Sequence, residues 1–318
     1  MKLKVPFFLC LILVFLAFWQ CKNEPHPVLA GTDTCSSVPL SDPGVFISKM
    51  PQPVFSEKSG PIAYGTKVLL HADSLPAPGV YEMSTDLGKT WKALECTVVS
   101  SVGEIWGRTR YKNIVSPVSK VSYSIFYKKV LIVGNSITLH GQLPQVGWYG
   151  NWGMAASAAD KDYVHLVSAK LKKLNPNVEI RLMIAVDFEQ NYRTYDFTSL
   201  KNFTDFAPDM VIMRIAENTN LTTIADYENR YDRLITELIS KSTVSKVICS
   251  TSFWSTTEEA SWRIRNIATN RGYIVADLEP LWKDKDNSAL ANFTDTSVGR
   301  HPSDKGMQAI ADIIGKHF

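Results

Sequence analysis

Apolar residues along this chain follow two rhythms. From Lys128 onward, short unbroken apolar runs alternate with stretches in which apolar residues recur every three or four positions. The runs are Val130–Val133, Val178–Val186, Met210–Ile215, Lys246–Ser250 and Tyr273–Asp277. Runs that short and continuous predict strands buried on both faces of a parallel sheet. Between them, Tyr163, Leu166, Val167, Leu171 and Leu174 share one helical face, as do Tyr227, Tyr231, Leu234, Ile235 and Leu238. Met307, Ile310, Ala311 and Ile314 predict a last helix running to Phe318. Five strands alternating with helices over residues 128–318 predict a doubly wound α/β domain with its ligand site beyond the carboxyl ends of the strands. Residues 39–127 read differently. Lys67–Ala72, Val80–Ser84 and Val121–Phe126 are rich in β-branched and aromatic residues and are separated by Gly/Pro/Ser turn clusters. That texture predicts a small antiparallel β-sandwich.

The N-terminus has a third pattern. Lys2 and Lys4 precede an apolar stretch from Val5 to Trp19 that ends at Cys21. The stretch is short for a transmembrane span of about 20 residues and suits the core of an export signal. An apolar core ending at a cysteine resembles a bacterial lipoprotein signal, which implies lipidation of Cys21, a signal at 1–21 and a tether at 22–38. An ordinary signal cut near Ala30, or an uncleaved anchor, is the alternative. The expected location is an exported, membrane-anchored lipoprotein facing the periplasm or the cell surface.

Composition narrows the function classes. Hydrophobic residues make up 45% of 318 and charged residues 20%, which excludes a disordered or collagen-like chain. With 34 basic and 31 acidic residues, the net charge of +3 argues against nucleic-acid partners. Contact with a membrane is expected only through the N-terminal lipid. Setting aside Cys10 and Cys21, three distant cysteines remain. Cys35 can pair with Cys96, and Cys249 sits in an apolar run as a buried thiol. No histidine pair has metal-ligand spacing, so neither metal nor other cofactor is expected.

The strand ends carry the candidate chemistry. Ser136 follows the first strand directly, after Gly134 and Asn135. A serine there can stand at the start of a helix, where N–H groups suit a nucleophile and the oxyanion it generates. Asn218 follows the third strand and can offer its side-chain amide to the same crevice. His301 precedes the last helix and can serve Ser136 as general base.

Together, Gly134-Asn-Ser136-Ile-Thr138, Ala216-Glu-Asn218 and His301-Pro-Ser-Asp304 resemble three of the four sequence blocks of the SGNH hydrolases, the GDSL-type esterases and lipases. The resemblance covers 128–318 and implies a flavodoxin-like sheet of five parallel strands. It further implies Ser136 as nucleophile, His301 as base and Asn218 as oxyanion donor. Residues 39–127 resemble an immunoglobulin-like accessory module of the kind that flanks glycan-acting enzymes. Trp91 and Trp106 there can stack on sugar or fill a core.

Several positions depart from the family pattern. Asn135 stands where the family has aspartate, and Ala216 where it has glycine. The second block, Val186–Gln190, lacks its glycine, so the second N–H donor falls to Phe188 or Glu189 there, or to Gly153. The family's third triad member would sit at Val298. Asp295, Asp304 and Glu189 are the carboxylates left to orient His301; failing them, a backbone carbonyl leaves a Ser–His dyad. Trp148, Tyr149 and Trp152 either border the pocket as a sugar platform or anchor their own loop. The expected activity is hydrolysis of O-acyl esters, O-acetyl most simply, on carbohydrate or another small ester. An inactive glycan-binding protein and a lipid acylhydrolase are the alternatives.

Overall fold

The computed structural model describes Cys35 and residues 47–318. The signal stretch, Cys21 and most of the tether lie outside the described residues. Among the described residues of the N-terminal part, nine strands form two sheets. β1 (Val54–Phe55), β3 (Thr66–His71) and β6 (Cys96–Val99) make a three-stranded antiparallel sheet. β2 (Gly60–Ala63), β4 (Val80–Ser84), β5 (Lys92–Ala93), β7 (Gly103–Tyr111), β8 (Ile114–Val115) and β9 (Ser119–Phe126) make the second. Alternation decides which side chains meet between them. Val68 and Leu70 of β3 and Ile105, Val121, Tyr123 and Ile125 of β7 and β9 are buried in one core, and the residues between them face outward. One expectation needs correction: the second sheet is mixed, because β2 pairs with β9 in parallel. A disulfide joins Cys35 to Cys96 and ties the incoming chain to β6. Trp91 and Trp106 each carry a cation on a ring face, Arg108 at 4.0 Å and Lys120 at 3.7 Å. Those faces are not free for sugar.

The C-terminal part is a five-stranded parallel sheet. β10 (Lys129–Gly134), β11 (Glu179–Ile184), β12 (Met210–Met213), β13 (Lys246–Ser250) and β14 (Ile274–Ala276) lie in the order β11-β10-β12-β13-β14. Successive side chains of β10 divide between two layers. Val130 and Ile132 pack with α1 (Tyr163–Leu174) and the last helix (Asp304–Gly315). Leu131 and Val133 pack on the other face, with α2 (Val186–Asn191), α4 (Tyr227–Ile239) and α5 (Glu258–Arg271). Two four-residue helices complete the set, α3 (Lys201–Thr204) and α6 (Thr296–Gly299), so the last helix is α7. It ends at Gly315, short of the expected Phe318. Both strand faces are covered by apolar helix faces, which accounts for the unbroken runs in the sequence.

The two parts meet at the amino ends of the parallel strands. Tyr127 accepts at its carbonyl from Asn175 Nδ2 at 2.8 Å and at its hydroxyl from Lys246 Nζ at 3.0 Å. The Asp209 carboxylate accepts from the Lys128 and Lys129 N–H groups at 2.7 and 3.0 Å. The carboxyl ends are thereby left clear, at the opposite edge of the sheet.

Candidate active site

Ser136 sits two residues past the end of β10. The turn there depends on glycine: a Cβ on Gly134 would lie 1.7 Å from Thr138 Oγ1. The expected helix start is corrected, because Asn135–Thr138 form a turn. The Asn135 carbonyl accepts from the Thr138 and Leu139 N–H groups at 2.9 and 3.1 Å, and the next α-helix begins only at Tyr163. Ser136 is half-buried, and its Oγ lies 2.8 Å from His301 Nε2. Residues 165 apart in sequence are thus brought into hydrogen-bond contact.

His301 lies between α6 and α7 and is held on three sides. Its N–H donates to Val298 O, its carbonyl accepts from Ala289 N–H, and the Trp254 ring meets the imidazole edge-on with centroids 5.4 Å apart. Its Nδ1 lies 2.9 Å from the Ser297 carbonyl. A carbonyl only accepts, so Nδ1 carries the proton and Nε2 presents a lone pair to Ser136. That is the tautomer a general base needs. Among the described residues no carboxylate touches the ring, and burial pushes the His301 imidazole down to about 4.

The three carboxylates named for the third position do other work, and the group on Nδ1 is the backbone carbonyl that was their alternative. Asp295 caps α6 and accepts from Ser297 N–H at 2.8 Å; it reaches His301 only through the Ser297 peptide. Asp304 accepts from Ser157 N–H and Oγ, pinning the long loop to α7. Glu189 is fully buried on α2, and its carboxylate accepts from Asn135, Ala216 and Asn218.

The oxyanion candidates separate in the same way. Gly153 is corrected: its N–H donates to Asp162 Oδ2 at 3.0 Å. Glycine is needed there for close packing, since a Cβ would lie 2.5 Å from Ile137 O. The Phe188 ring is buried against Tyr195 and Tyr192, while its N–H belongs to the first turn of α2, which has no intrahelical acceptor. The Asn218 side chain donates to Glu189 Oε2 at 2.9 Å, which uses one of its two amide hydrogens. Of the aromatic trio only Tyr149 is strongly exposed, at 66%. Trp148 is buried and packs edge-on against Trp152, whose indole N–H donates to Ala156 O. Both tryptophans therefore anchor the loop, the second of the two readings their clustering allowed.

A charged cluster unread in the sequence lies against Asn135, in the turn that carries Ser136. Arg214 Nη1 donates to both oxygens of Glu217 at 2.9 and 2.7 Å, and both side chains are buried. Glu217 also accepts from Asn135 Nδ2 at 2.7 Å, from Phe253 N–H at 2.7 Å and from Ser252 Oγ at 3.1 Å. Burial works to raise the Glu217 carboxyl, but Arg214 and these donors outweigh it and hold it below the ordinary value. Glu189, buried beside Glu217, is pushed up to about 7. An arginine closing an apolar strand, with a glutamate three residues on, was the sequence signal for this cluster. Among the described residues, no group of three His, Cys, Asp or Glu side chains is placed to hold a metal, and no helix is long and apolar enough to cross a membrane.

No family model matches the chain, and no curated protein sequence matches it. Among solved structures it is similar to a two-domain esterase (CEX) active on acetylated mannans, at 18% identity and TM-score 0.40. That match covers 60% of this chain and 48% of that one, so the chain spans about half of it. An acetyl xylan esterase, AlAXEase, matches at 18% identity and TM-score 0.38 over 59% of this chain and 98% of its own. A carbohydrate esterase family 2 enzyme with a carbohydrate binding domain, from Corynascus thermopiles (Myceliophthora fergusii), matches at 13% identity and TM-score 0.37. It covers 88% of this chain and 97% of its own. At such scores the likenesses carry no weight for the chemistry, which rests on the geometry of the site.

Proposed function

We propose that the protein is a serine esterase of the SGNH type that hydrolyses O-acyl esters, O-acetyl in the simplest case, on carbohydrate. The observation that carries this reading is the 2.8 Å contact between Ser136 Oγ and His301 Nε2, with Nδ1 on a backbone carbonyl. Ser136 Oγ attacks the ester carbonyl carbon as its proton passes to His301 Nε2. The tetrahedral oxyanion is met by the free Nδ2 hydrogen of Asn218 and by backbone N–H groups, that of Phe188 among them. Collapse breaks the bond to the alcohol, which leaves with the proton from Nε2. A water activated by the same nitrogen then releases the acid from Ser136.

The Ser297 carbonyl fixes the imidazole tautomer in place of a carboxylate, so the pair works as a dyad. The exposed Tyr149 and the half-buried Trp254 beside His301 support a ring-shaped acceptor such as a sugar over a long acyl chain. The apolar segment ending at Cys21 supports export and a lipid anchor. The part built from β1–β9 then serves as an immunoglobulin-like spacer between anchor and enzyme. The test is labelling with a serine-directed fluorophosphonate, followed by peptide mapping. Label on Ser136 is expected; an unlabelled Ser136 in folded protein would overturn the reading and favour a glycan-binding protein.

A further inference from the structure

The fully buried Glu189 contacts neither His301 nor any cation directly, yet its carboxylate is surrounded by N–H donors from two strand-end loops. Its Oε1 accepts from Ala216 N–H at 2.7 Å, from Asn218 N–H at 3.2 Å and from Asn135 Nδ2 at 3.1 Å. Its Oε2 accepts from Asn218 Nδ2 at 2.9 Å and from Asn135 Nδ2 at 3.2 Å. Asn135 immediately precedes Ser136, and Asn218 is the side chain proposed to meet the oxyanion. The Glu189 carbonyl holds Asn220 N–H at 3.1 Å as well. One residue of α2 therefore grips the loop after β10 and the loop after β12 together. We propose that Glu189 is the positioning residue of the oxyanion hole, aiming the free amide hydrogen of Asn218 and fixing the Ser136 loop beside it. This rests on the esterase reading of the site.

The chemistry is specific for an ionised carboxylate. All five side-chain contacts on Glu189 are donors, so a proton on either oxygen would meet a donor and break a contact. The same surroundings explain why asparagine precedes Ser136. An aspartate at 135 would face Glu189 and Glu217 together, whereas the amide donates to both. The charged or titratable groups around Glu189 are Glu217 and Arg214 from the segment at the end of β12 and Tyr227 from α4. Burial and the neighbouring Glu217 favour its protonation, which places its ionisation near neutral pH.

The experiment measures p-nitrophenyl acetate hydrolysis by Glu189→Gln, Asn218→Ala, the double variant and Ser136→Ala. Glu189→Gln keeps the volume but turns an acceptor into a donor facing donors. Its kcat is expected to fall about 10- to 100-fold with KM little changed, since a contact made in the transition state is lost. The double variant is expected to lose less than the product of the two single losses, because part of the effect of Glu189 passes through the Asn218 side chain and only the part through Asn135 is independent of it. Wild-type kcat in Glu189→Gln, or losses that multiply in the double variant, would overturn the proposal. If Glu189→Gln does not fold, the wild-type pH profile of kcat decides. An acid limb near neutrality is expected, and a profile flat down to the pH where His301 protonates would overturn it. Ser136→Ala separates the two claims. A dead Ser136→Ala beside an unaffected Glu189→Gln removes only the role of Glu189, while an active Ser136→Ala removes the esterase reading itself.

Discussion

The two flanks of Ser136 are built on opposite principles. On the His301 flank the groups touching the imidazole are neutral: a backbone carbonyl, a serine hydroxyl and the edge of Trp254. On the Asn135 flank two buried carboxylates accept from Asn135, and a buried guanidinium pairs with one of them. Charge is absent where a Ser–His–Asp arrangement would hold it and concentrated where the oxyanion is to be stabilised. The difference is physical. Val298, three residues before His301, is buried with Trp148, Met154, Ala155 and Ala289, so that pocket offers no partner for a charge. The other flank provides six N–H or O–H donors and an arginine, enough to hold two carboxylates out of water.

Variants that remove one flank or the other test this division. Loss of the base comes first. His301→Ala is expected to lower kcat by about 10³- to 10⁴-fold in ester hydrolysis while the melting temperature stays close to that of wild type. A loss under about 10-fold would mean that another group takes the proton. Asn218→Ala is expected to cost about 10²-fold in kcat, the scale of one oxyanion donor. An effect confined to KM would contradict its role.

Placing a carboxylate at position 298 is expected to harm rather than help. Val298→Asp would bury a charge among apolar side chains, so a loss of roughly 3 kcal/mol or more in denaturant unfolding is expected. A gain in kcat at unchanged stability would show that the neutral flank is a defect. The smallest change concerns Asp295, which reaches His301 only through the Ser297 peptide. Asp295→Asn is expected to shift kcat by no more than about threefold. A loss as large as that of His301→Ala would make Asp295 a true third member.

The flanks also differ in their response to pH. His301 acts as the neutral form, so its contribution is complete above its pKa and lost as the pH falls through it. Glu189 acts as the anion, and its contribution likewise disappears as the pH falls, but from a higher value. The wild type is thus expected to lose activity below neutrality. Glu189→Gln is expected to retain its lower activity unchanged down to about pH 4, where burial has placed His301. An acid limb near the ordinary histidine value in that variant would contradict the neutral flank.

Much of this was legible in the sequence, for reasons particular residues make clear. Continuous runs such as Val130–Val133 mark strands because both faces are buried, and their ends located Ser136 and Asn218, while His301 was found by its place before the last helix. α5 escaped notice because Glu258–Arg271 interleaves charged residues with short apolar ones and shows no clean stripe. The Ser297 carbonyl is a backbone group and leaves no trace in composition or spacing. Arg214 and Glu217 sat inside segments read as apolar strand and turn, although a strand-end arginine three residues from a glutamate is a pairing signal. Trp148 and Trp152 left two readings open for the opposite reason, since aromatic clustering looks the same whether it faces a pocket or fills its own loop.

The most direct measurement is p-nitrophenyl acetate hydrolysis by residues 22–318, with Ser136→Ala and His301→Ala measured alongside. The account predicts turnover in the wild type and its loss in both variants with the fold intact. Wild-type turnover that survives Ser136→Ala, or a folded wild type with no turnover and no fluorophosphonate label, would contradict it.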